Sequence, residues 1–431
     1  MNIVVAGTGY VGLVTAVCLA EQGHGVVCVD VDENKIELLR QGVGTIYEPG
    51  LPELMAACGD RLHYTTDYAE AYRTADVILV CVGTPEKEDG SANLRYVDAV
   101  VKQIAEHAGQ DGVVAIKSTV PIGTNDRLAA LIDEELNRLG KRIRLRVVSN
   151  PEFLSQGSAI NDTRRAKRIV IGAEDEEAVA VMRGLYDSFF IPYVITDRRS
   201  AEMIKYAAND FLALKISYIN EIANLCEIVG ANIEQVAQGM GMDPRIGDRF
   251  LNAGIGYGGS CFPKDTKALH WLAAHNGYEL KTIKAAIDVN EAQKVVLLKK
   301  ARKHFDTLAG KRVAILGATF KPGTDDLRDA PSLANLPLLL GEGASVIVWD
   351  PVGLDNLAQR FGDAIAYGAS IEDTLSGADV CFIFTEWQQI KSLPLETYAR
   401  LMRTPLVLDG RNCYSPSAAR EAGIVYESIG R

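Results

Sequence analysis

Residues Ile3–Gly12 read Ile-Val-Val-Ala-Gly-Thr-Gly-Tyr-Val-Gly, a short apolar run that leads into three glycines spaced as Gly-x-Gly-x-x-Gly. The run predicts a buried β-strand, and the glycines predict a tight turn into a helix over Leu13–Gln22. A second strand, Val26–Val29, leads to Asp30, eighteen residues after the third glycine. This order predicts the first βαβ unit of a dinucleotide-binding fold, in which the acidic residue accepts hydrogen bonds from a ribose hydroxyl.

Three further strands are predicted in the first half of the chain, and each ends in polar residues. They are Val77–Val82, before Gly83-Thr84-Pro85; Val113–Lys117, before Ser118-Thr119-Val120-Pro121; and Leu145–Ser149, before Asn150-Pro151-Glu152-Phe153. Ligands of open parallel sheets bind beyond the carboxyl ends of the strands. We therefore expect these polar segments to line one crevice together with the glycines of residues 7–12.

The last third of the chain repeats this pattern. It starts again with Val313-Ala-Ile-Leu-Gly317, and a helix is predicted near Ser332–Leu340. Three more strands are predicted at Ser345–Trp349, Val380–Phe384 and Leu406–Leu408. The repeat lacks the third glycine of the first copy, so we expect it to hold something other than a dinucleotide.

Between the two copies, apolar residues recur every three or four positions from Ser200 to about Val229. This period predicts one helix about 45 Å long, with Ser200 as its N-cap. The predicted fold is α/β, with two doubly wound Rossmann-like domains joined by a long central helix and a small all-helical domain. The expected domain bounds are 1–199 for the N-terminal domain, 200–308 for the central helical domain and 309–431 for the C-terminal domain.

The composition argues against several classes of partner. With 45 basic and 56 acidic residues among 431, the chain has a net charge of −11, whereas a nucleic-acid binder is expected to carry clustered excess Lys and Arg. The basic run Lys141–Arg146 alternates with Ile and Leu, which predicts a strand with one solvated face. No apolar stretch approaches the roughly 20 residues of a membrane span, so no membrane partner is expected.

Eight cysteines are present, and several, such as Cys28 and Cys81, lie inside apolar strand-like runs. This placement indicates free thiols and a reducing cytoplasm. A strand that begins at Ile3 leaves no room for a signal peptide. We expect no metal site, because His270 and His275 are five residues apart, whereas metal-binding pairs on a helix are four apart.

One cysteine stands apart from the others, in Gly256-Tyr-Gly-Gly-Ser-Cys261-Phe-Pro-Lys-Asp265. Cys261 follows two adjacent glycines closely, and Lys264 and Asp265 come three and four positions later. Backbone N–H groups and a cation favour a thiolate, and a carboxylate can move a proton or orient a water. Together with the dinucleotide site, this pattern predicts oxidation of an aldehyde through a thioester, and hence a dehydrogenase with a cysteine nucleophile.

Lys205 and Asn209 lie four residues apart in the predicted long helix, so they project from one face a turn apart. Such spacing, taken alone, is typical of a solvated helix face. The pair predicts no chemistry by itself.

Six separated motifs make essentially the whole chain resemble the UDP-glucose/GDP-mannose dehydrogenase family. The motifs are Gly7–Gly12 with Asp30, Ser118–Pro121, Asn150–Leu154, Lys205 with Asn209, Gly258–Asp265 and Phe320–Arg328. Within the family, Phe250–Cys261 resembles the branch that oxidises UDP-glucose. The branches that act on GDP-mannose or on UDP-N-acetylhexosamines are alternatives with the same mechanism, and a catalytically inactive NAD-binding regulatory protein is a more distant alternative.

The resemblance implies an NAD-dependent four-electron oxidation of UDP-glucose to UDP-glucuronate, with two NAD+ converted to NADH. Cys261 would form a thiohemiacetal and then a thioester, which water hydrolyses. Lys205 and Asn209 would stabilise the oxyanion of each tetrahedral stage. Asp265 would be the base or water activator, working with Thr119, and Glu152 resembles the family glutamate assigned to acid/base work in thioester hydrolysis.

The same resemblance assigns binding residues and a partner. The residues expected to bind NAD are Gly7, Gly9, Tyr10, Val11, Gly12, Asp30, Lys35, Thr84, Thr119, Gln156, Lys264 and Arg328. The residues expected to bind the nucleotide sugar are Glu152, Phe153, Leu154, Lys205, Asn209, Arg245, Phe250, Leu251, Asn252, Ala253, Gly254, Tyr257, Gly258 and Lys321. Gln156 departs from the family, which usually has an acidic residue there. Arg245 matches an arginine that reaches into a neighbouring subunit, so a homodimer is expected.

Overall fold

A computed structural model describes residues 1–431, which divide into two units, Met1–Ala208 and Asn209–Arg431. The strands are β1 Asn2–Ala6, β2 Gly25–Val29, β3 Leu62–Thr65, β4 Val77–Val80, β5 Gly112–Ile116, β6 Leu145–Ser149, β7 Ile169–Gly172, β8 Tyr193–Thr196, β9 Arg312–Leu316, β10 Ser345–Trp349, β11 Ala366–Tyr367, β12 Val380–Ile383, β13 Leu406–Asp409 and β14 Val425–Glu427. The helices are α1 Tyr10–Glu21, α2 Glu33–Arg40, α3 Leu51–Cys58, α4 Tyr68–Arg73, α5 Arg95–His107, α6 Thr124–Arg138, α7 Ala159–Arg164, α8 Glu176–Tyr186, α9 Arg198–Val229, α10 Ile233–Gly241, α11 Phe262–His275, α12 Lys281–Lys294, α13 Val296–Ala301, α14 Pro331–Gly341, α15 Leu354–Phe361, α16 Ile371–Leu375, α17 Gln388–Lys391, α18 Leu395–Leu401 and α19 Pro416–Glu421.

The first unit is built on an eight-stranded sheet in the order β3-β2-β1-β4-β5-β6-β7-β8. All neighbouring strands are parallel except β6 and β7, which are antiparallel. Residues of β1 point alternately into two cores, Ile3 and Val5 into one and Val4 into the other. Helices therefore cover both faces, which explains why these strands read as continuous apolar runs. The predicted doubly wound sheet is confirmed.

The second unit contains a six-stranded, fully parallel sheet in the order β11-β10-β9-β12-β13-β14. This order repeats that of the first six strands of the first unit. The turns that follow the first strands also match, since Gly7 N donates to Val29 O at 2.8 Å and Gly317 N donates to Trp349 O at 2.8 Å. The predicted second Rossmann-like domain is confirmed.

Several local expectations were wrong in detail. α9 begins before Ser200, because Asp197 caps it by accepting hydrogen bonds from the N–H and the hydroxyl of Ser200 at 2.8 and 2.6 Å. The basic run 141–146 is not one strand, because Lys141 instead donates to the carbonyl oxygens of Ala105 and Ala108 near the end of α5. Strand β6 starts only at Leu145.

One exposed face of α9 carries large apolar side chains, while its buried face contains polar residues beside apolar ones such as Tyr206 and Ile219. Phe211, Tyr218 and Leu225, seven residues apart, are 61%, 48% and 51% exposed. Buried polar residues on the same helix include Asn209, Asp210, Ser217 and Asn220. None of the helices, α9 included, combines the length and apolar character needed to cross a bilayer.

Candidate active site

The three glycines after β1 each meet a different steric demand. Gly7 has φ +100°, a left-handed conformation that favours glycine. A Cβ on Gly12 would lie 1.9 Å from Gly7 O, so only glycine lets α1 pack this close to the turn. A Cβ on Gly9 would meet no protein atom within 4 Å, so its missing side chain leaves open space at the helix N-terminus. The turn therefore fits a pyrophosphate, which needs this close backbone approach.

Asp30 follows β2 and is held facing this turn. Its Oδ2 accepts from the N–H and the hydroxyl of Thr8 at 2.9 and 2.7 Å, and Lys35 Nζ lies 3.5 Å away. Burial raises the pKa of the carboxyl, but the bonds from Thr8 and Asp32 and the charge of Lys35 outweigh it and hold the pKa below the ordinary value. Only the Asp32 N–H, at 3.2 Å, reaches Oδ1. This oxygen keeps acceptor capacity for a ribose hydroxyl.

The second Rossmann-like copy has Asp350 at the matching position, but its carboxylate is fully engaged and only 3% exposed. The donors to its two oxygens are Ala318 N, Thr319 N, Thr319 Oγ1, Trp387 Nε1, Val352 N and Gly353 N, at 2.8–3.2 Å. A carboxylate offers about four acceptor positions. Asp350 therefore has none left for a ribose, which agrees with the expectation that this copy holds something other than a dinucleotide.

Around the glycine turn, neighbouring loops are tied together by side chains. Tyr10, on the first turn of α1 beside Val11, donates to Glu48, and the N–H of Gly157 donates to Tyr10 Oη and to Glu48 at 2.7 Å each. The loop that carries Gln156 is thereby fixed to the turn. The Thr84 hydroxyl donates to Thr119 O at 2.9 Å. The sheet order places the ends of β1, β4, β5 and β6 side by side, as predicted.

Glu152 and Lys205 form a buried ion pair in the first unit, with Nζ 3.0 Å from Oε1. Burial opposes the charged form of Glu152, but the Lys205 charge, the Leu154 N–H and Lys117 together keep its pKa below the ordinary value. The ring of Phe153 lies 5.4 Å from Lys205 Nζ. Glu152 is therefore ionised at neutral pH, the form that accepts a proton rather than donates one.

Cys261 is the N-cap residue of α11, and Pro263 lies in the first turn. A sulfur at a helix N-terminus lies where the free N–H groups favour an anion. The Ser260 hydroxyl is 3.7 Å from the sulfur, and Asp265 N donates to Cys261 O at 2.8 Å. The glycines before it are required, because a Cβ on Gly258 would lie 2.4 Å from Asp329 O.

Asp265 lies one turn into α11 and is almost fully buried. Asn209 Nδ2 donates to its Oδ2 at 2.7 Å, and Lys264 Nζ donates to Oδ1. Lys205 and Asn209 are only 3% and 7% exposed. The interpretation of their spacing as a solvated helix face is therefore wrong.

The loop 250–258 is held by buried amides that the sequence did not single out. Asn220 Oδ1 accepts from Gly254 N at 2.8 Å, and Gln293 Nε2 donates to Gly254 O at 2.7 Å. Asn290 exchanges two hydrogen bonds with the backbone of Tyr257, at 2.8 and 3.1 Å. These three amides on α9 and α12 are only 0–1% exposed, and burying an amide without a hydrogen-bond partner lowers stability. Polar residues on an otherwise apolar helix face are therefore the sequence signal that could have identified them.

Other predicted binding residues of the second unit lie on or near this loop. Phe250 has φ +65°, unusual for a bulky side chain, and its ring packs edge-on against Phe262. Leu251 and Ala253 are buried and Asn252 is exposed. Arg411, which was not predicted, donates to Gly256 O at 3.3 Å and joins this loop to the end of β13.

Three predicted cations have defined placements. Lys321 follows β9, with Nζ 5.7 Å from the Phe320 ring. Arg328 makes a two-pronged contact with Asp326, and its carbonyl accepts from Gly259 N at 2.7 Å. Arg245 is 87% exposed along its side chain and is paired with Asp243. The ligand contacts expected of all three remain predictions.

Comparison with known proteins gives matches along nearly the whole chain. Models of the UDP-glucose/GDP-mannose dehydrogenase family match at residues 1–190 for its NAD binding domain, 199–292 for its central domain and 314–416 for its UDP binding domain. The UDP-glucose 6-dehydrogenase YwqF of Bacillus subtilis (strain 168) is 49% identical over 433 residues, which cover 100% of this chain and 98% of the relative.

Solved structures give the same result. A UDP-glucose dehydrogenase from Pyrobaculum islandicum superimposes with a TM-score of 0.92 at 38% identity, covering 99% of this chain and 96% of the other. A UDP-D-ManNAc dehydrogenase from Pyrococcus horikoshii superimposes with a TM-score of 0.88 at 28% identity, covering 100% and 99%.

Proposed function

Because the chain belongs to the UDP-glucose/GDP-mannose dehydrogenase family, we propose that it oxidises UDP-glucose to UDP-glucuronate in two successive NAD+-dependent steps. The observation that carries the proposal is the position of Cys261 at the N-terminus of α11, with the buried Asp265 one turn later and held by Asn209. The identity to relatives named as UDP-glucose 6-dehydrogenases supports the choice of sugar.

The residues suit a mechanism with a covalent intermediate. When bound at the glycine turn, NAD+ would supply the acceptor for one hydride in each oxidation, so two molecules would be used in turn. Cys261 adds its sulfur to the C6 aldehyde, and the resulting thiohemiacetal is oxidised to a thioester. Asn209 and Lys205 donate hydrogen bonds to the oxyanion at each tetrahedral stage. Water then attacks the thioester carbonyl carbon, the C–S bond breaks, and its electron pair stays on the sulfur of Cys261.

Two carboxylates can take the protons that these steps release. Asp265 is assigned to the water that hydrolyses the thioester, with Thr119 as an aid in ordering that water. Glu152, whose pKa is lowered, is assigned a base role rather than that of a proton donor. Both assignments rest on the resemblance and on the buried positions of the two side chains.

The nucleotide half of the substrate is assigned to the second unit. Its C-terminal part matches the family's UDP binding domain, and its acidic residue at the fingerprint position is fully engaged within the protein. Lys321 is the cation assigned to a phosphate or sugar oxygen, and loop 250–258 is assigned to the nucleotide sugar. We keep 1–199, 200–308 and 309–431 as the functional division, which the three family matches support.

A homodimer is part of the proposal. The exposed apolar residues of α9, repeated at Phe211, Tyr218 and Leu225, form a stripe of the kind that a second helix covers. Arg245 follows α10 in the second unit and has an exposed side chain, and it is assigned to the substrate of the partner subunit. All eight cysteines are free thiols, which supports the assignment to the cytoplasm.

A steady-state assay tests the function. The purified chain is expected to form two NADH per UDP-glucose and to release UDP-glucuronate. Cys261→Ala is expected to give no acid, with Cys413→Ala as the matched control that retains turnover. Faster turnover of GDP-mannose or a UDP-N-acetylhexosamine would transfer the proposal to that substrate. Acid formation by Cys261→Ala at the wild-type rate would refute the covalent mechanism.

A further inference from the structure

Asp210 is a buried carboxyl that the mechanism above does not use. It follows Asn209 on α9, and its residue is only 2% exposed. Neither of its side-chain oxygens has a hydrogen-bond partner in the protein. A buried carboxylate without partners is strongly disfavoured, so the neutral acid is the form that fits this position.

The groups that act on Asp210 belong to the catalytic loop and its helix. Asp210 follows Asn209, whose Nδ2 lies 2.7 Å from Asp265 Oδ2 on α11. The charges of Asp265 and Lys264 act on the pKa of Asp210, and the charge of Asp210 raises the pKa of Tyr257 in the preceding loop. Burial and, after it, the charge of Asp265 raise the pKa of Asp210 to about 8, against the opposing charge of Lys264. Asp265 differs from Asp210 in accepting hydrogen bonds from Asn209 and Lys264.

Two neighbouring carboxyls in such unequal surroundings divide their roles, one charged and one protonated. We propose that Asp210 is a positioning residue for the reaction, which keeps its proton in the resting protein and thereby leaves Asp265 as the charged member of the pair. If Asp210 were charged, a second negative charge would oppose the transfer of a proton away from the attacking water in the same region. The inference rests on the proposed function.

The proton balance of the hydrolysis step is simple. One proton of the attacking water passes to Asp265 as the water oxygen bonds to the thioester carbon, and the sulfur of Cys261 leaves with the C–S electron pair. Asp210 gives and takes no proton in this step. Its neutral form avoids a second negative charge beside the developing oxyanion.

Infrared difference spectroscopy tests the protonation state without turnover. Between roughly pH 6 and pH 10, a range that brackets the expected midpoint, the wild-type protein should lose the carbonyl band of a protonated carboxylic acid. Asp210→Asn should abolish this band, and Asp210→Ser serves as a second variant if the first does not fold. Asp265→Asn should move the midpoint to lower pH, because it removes a neighbouring negative charge.

Glu202→Gln is the matched control. Glu202 is also buried on α9 with a raised pKa, caused mainly by burial, but it accepts hydrogen bonds from Gly123 and Asn125. This variant should keep the band that Asp210→Asn loses. A band that survives Asp210→Asn, or one that Asp265→Asn removes instead, would overturn the assignment.

Kinetics give a second readout. The ratio of kcat for Asp210→Asn to kcat for wild type should rise about tenfold between roughly pH 7 and pH 10, the effect of one pKa unit of interaction with the reacting charge. A ratio that is flat with pH would overturn the positioning role. If no nucleotide sugar is turned over, the proposed function fails, while the infrared result still decides the state of Asp210.

Discussion

Asn209 Nδ2 donates to Asp265 Oδ2 at 2.7 Å, and this hydrogen bond joins α9 to the first turn of the helix that begins at Cys261. The Asn209 side chain on the long helix therefore orients the Asp265 carboxylate, which lies one turn after the nucleophile Cys261. Since Asn209 is also assigned to the oxyanion, it has two amide hydrogens for two tasks. Its replacement should affect chemistry more than binding.

Asn209→Ala is expected to lower kcat by about 100- to 1,000-fold, the usual loss when one oxyanion donor is removed. The KM for the nucleotide sugar should change much less. Asn276→Ala, at the exposed end of α11, is the control and should leave kcat within about twofold, as surface changes do. A drop confined to KM would assign Asn209 to binding only.

Asp30 is expected to set the cofactor preference, because its free acceptor capacity suits a ribose hydroxyl and its charge repels a 2′-phosphate. Asp30→Ala should raise the KM for NAD+ about ten- to a hundredfold, corresponding to one charge-assisted hydrogen bond. Asp350→Asn, at the matching position of the second copy, should leave the ratio of kcat/KM for NAD+ and NADP+ unchanged. Equal kcat/KM values for the two cofactors with the wild-type chain would contradict this.

Glu152 should make stability depend on pH in the acid range. Its pKa is lowered in the folded chain, so the stabilisation is present above the ordinary value of 4.5 and is lost as the pH falls through the folded-state pKa. Glu152→Gln should cost roughly 3–5 kcal/mol at neutral pH, because it leaves buried Lys205 without its anion. The difference from wild type should shrink in acid. Urea unfolding at several pH values measures this.

The control for the Glu152 prediction is Glu177→Gln. Glu177 pairs with Arg146, but its side chain is 73% exposed. Exposed pairs contribute about 0–1 kcal/mol, so this variant should unfold almost as the wild type does at every pH. Equal losses in the two variants would mean that the buried pair contributes no more than a surface pair.

Lys321→Ala is expected to weaken binding of UDP-glucose by about ten- to a hundredfold and to leave NAD+ affinity largely unchanged. Lys321 follows β9, the first strand of the second Rossmann-like copy. The acidic residue of that copy, Asp350, already accepts hydrogen bonds from the protein, so this copy is assigned to the UDP-sugar rather than to NAD+. Calorimetric titration with each ligand separates the two effects. Loss of NAD+ binding with UDP-glucose binding intact would reverse the assignment of the two Rossmann-like copies.

The strands and the glycine turn could be predicted because their signals are local. The run Ile3–Ala6 must be buried on both faces. Gly7 adopts a positive φ, and Gly12 packs against the carbonyl oxygen of Gly7 five residues earlier. The start of α9 was misplaced because Asp197 and Ser200 are both good caps, and sequence alone does not say which backbone N–H groups are left over.

The residues that hold the loop 250–258 in place could not be predicted, because their hydrogen bonds join parts of the chain that are far apart in sequence. Asn220, Asn290 and Gln293 are far from Gly254 and Tyr257 in sequence, and only the folded unit shows that they satisfy that loop's backbone. Arg411 could not be predicted for the same reason, because the Gly256 carbonyl oxygen that it contacts lies far away in sequence. The apolar period of α9 predicted a helix but not which face is buried, and the exposed face carries Phe211 and Tyr218.

The contrast between Asp30 and Asp350 shows how one scaffold position can change its occupation. In the first copy Oδ1 of the carboxylate accepts only one hydrogen bond, whereas in the second copy the indole N–H of Trp387 and five other donors occupy the carboxylate. An acidic residue after the second strand is thus not, on its own, evidence of a ribose-binding site. A ligand-binding carboxylate differs from a structural one in the number of acceptor positions that the protein leaves without a donor.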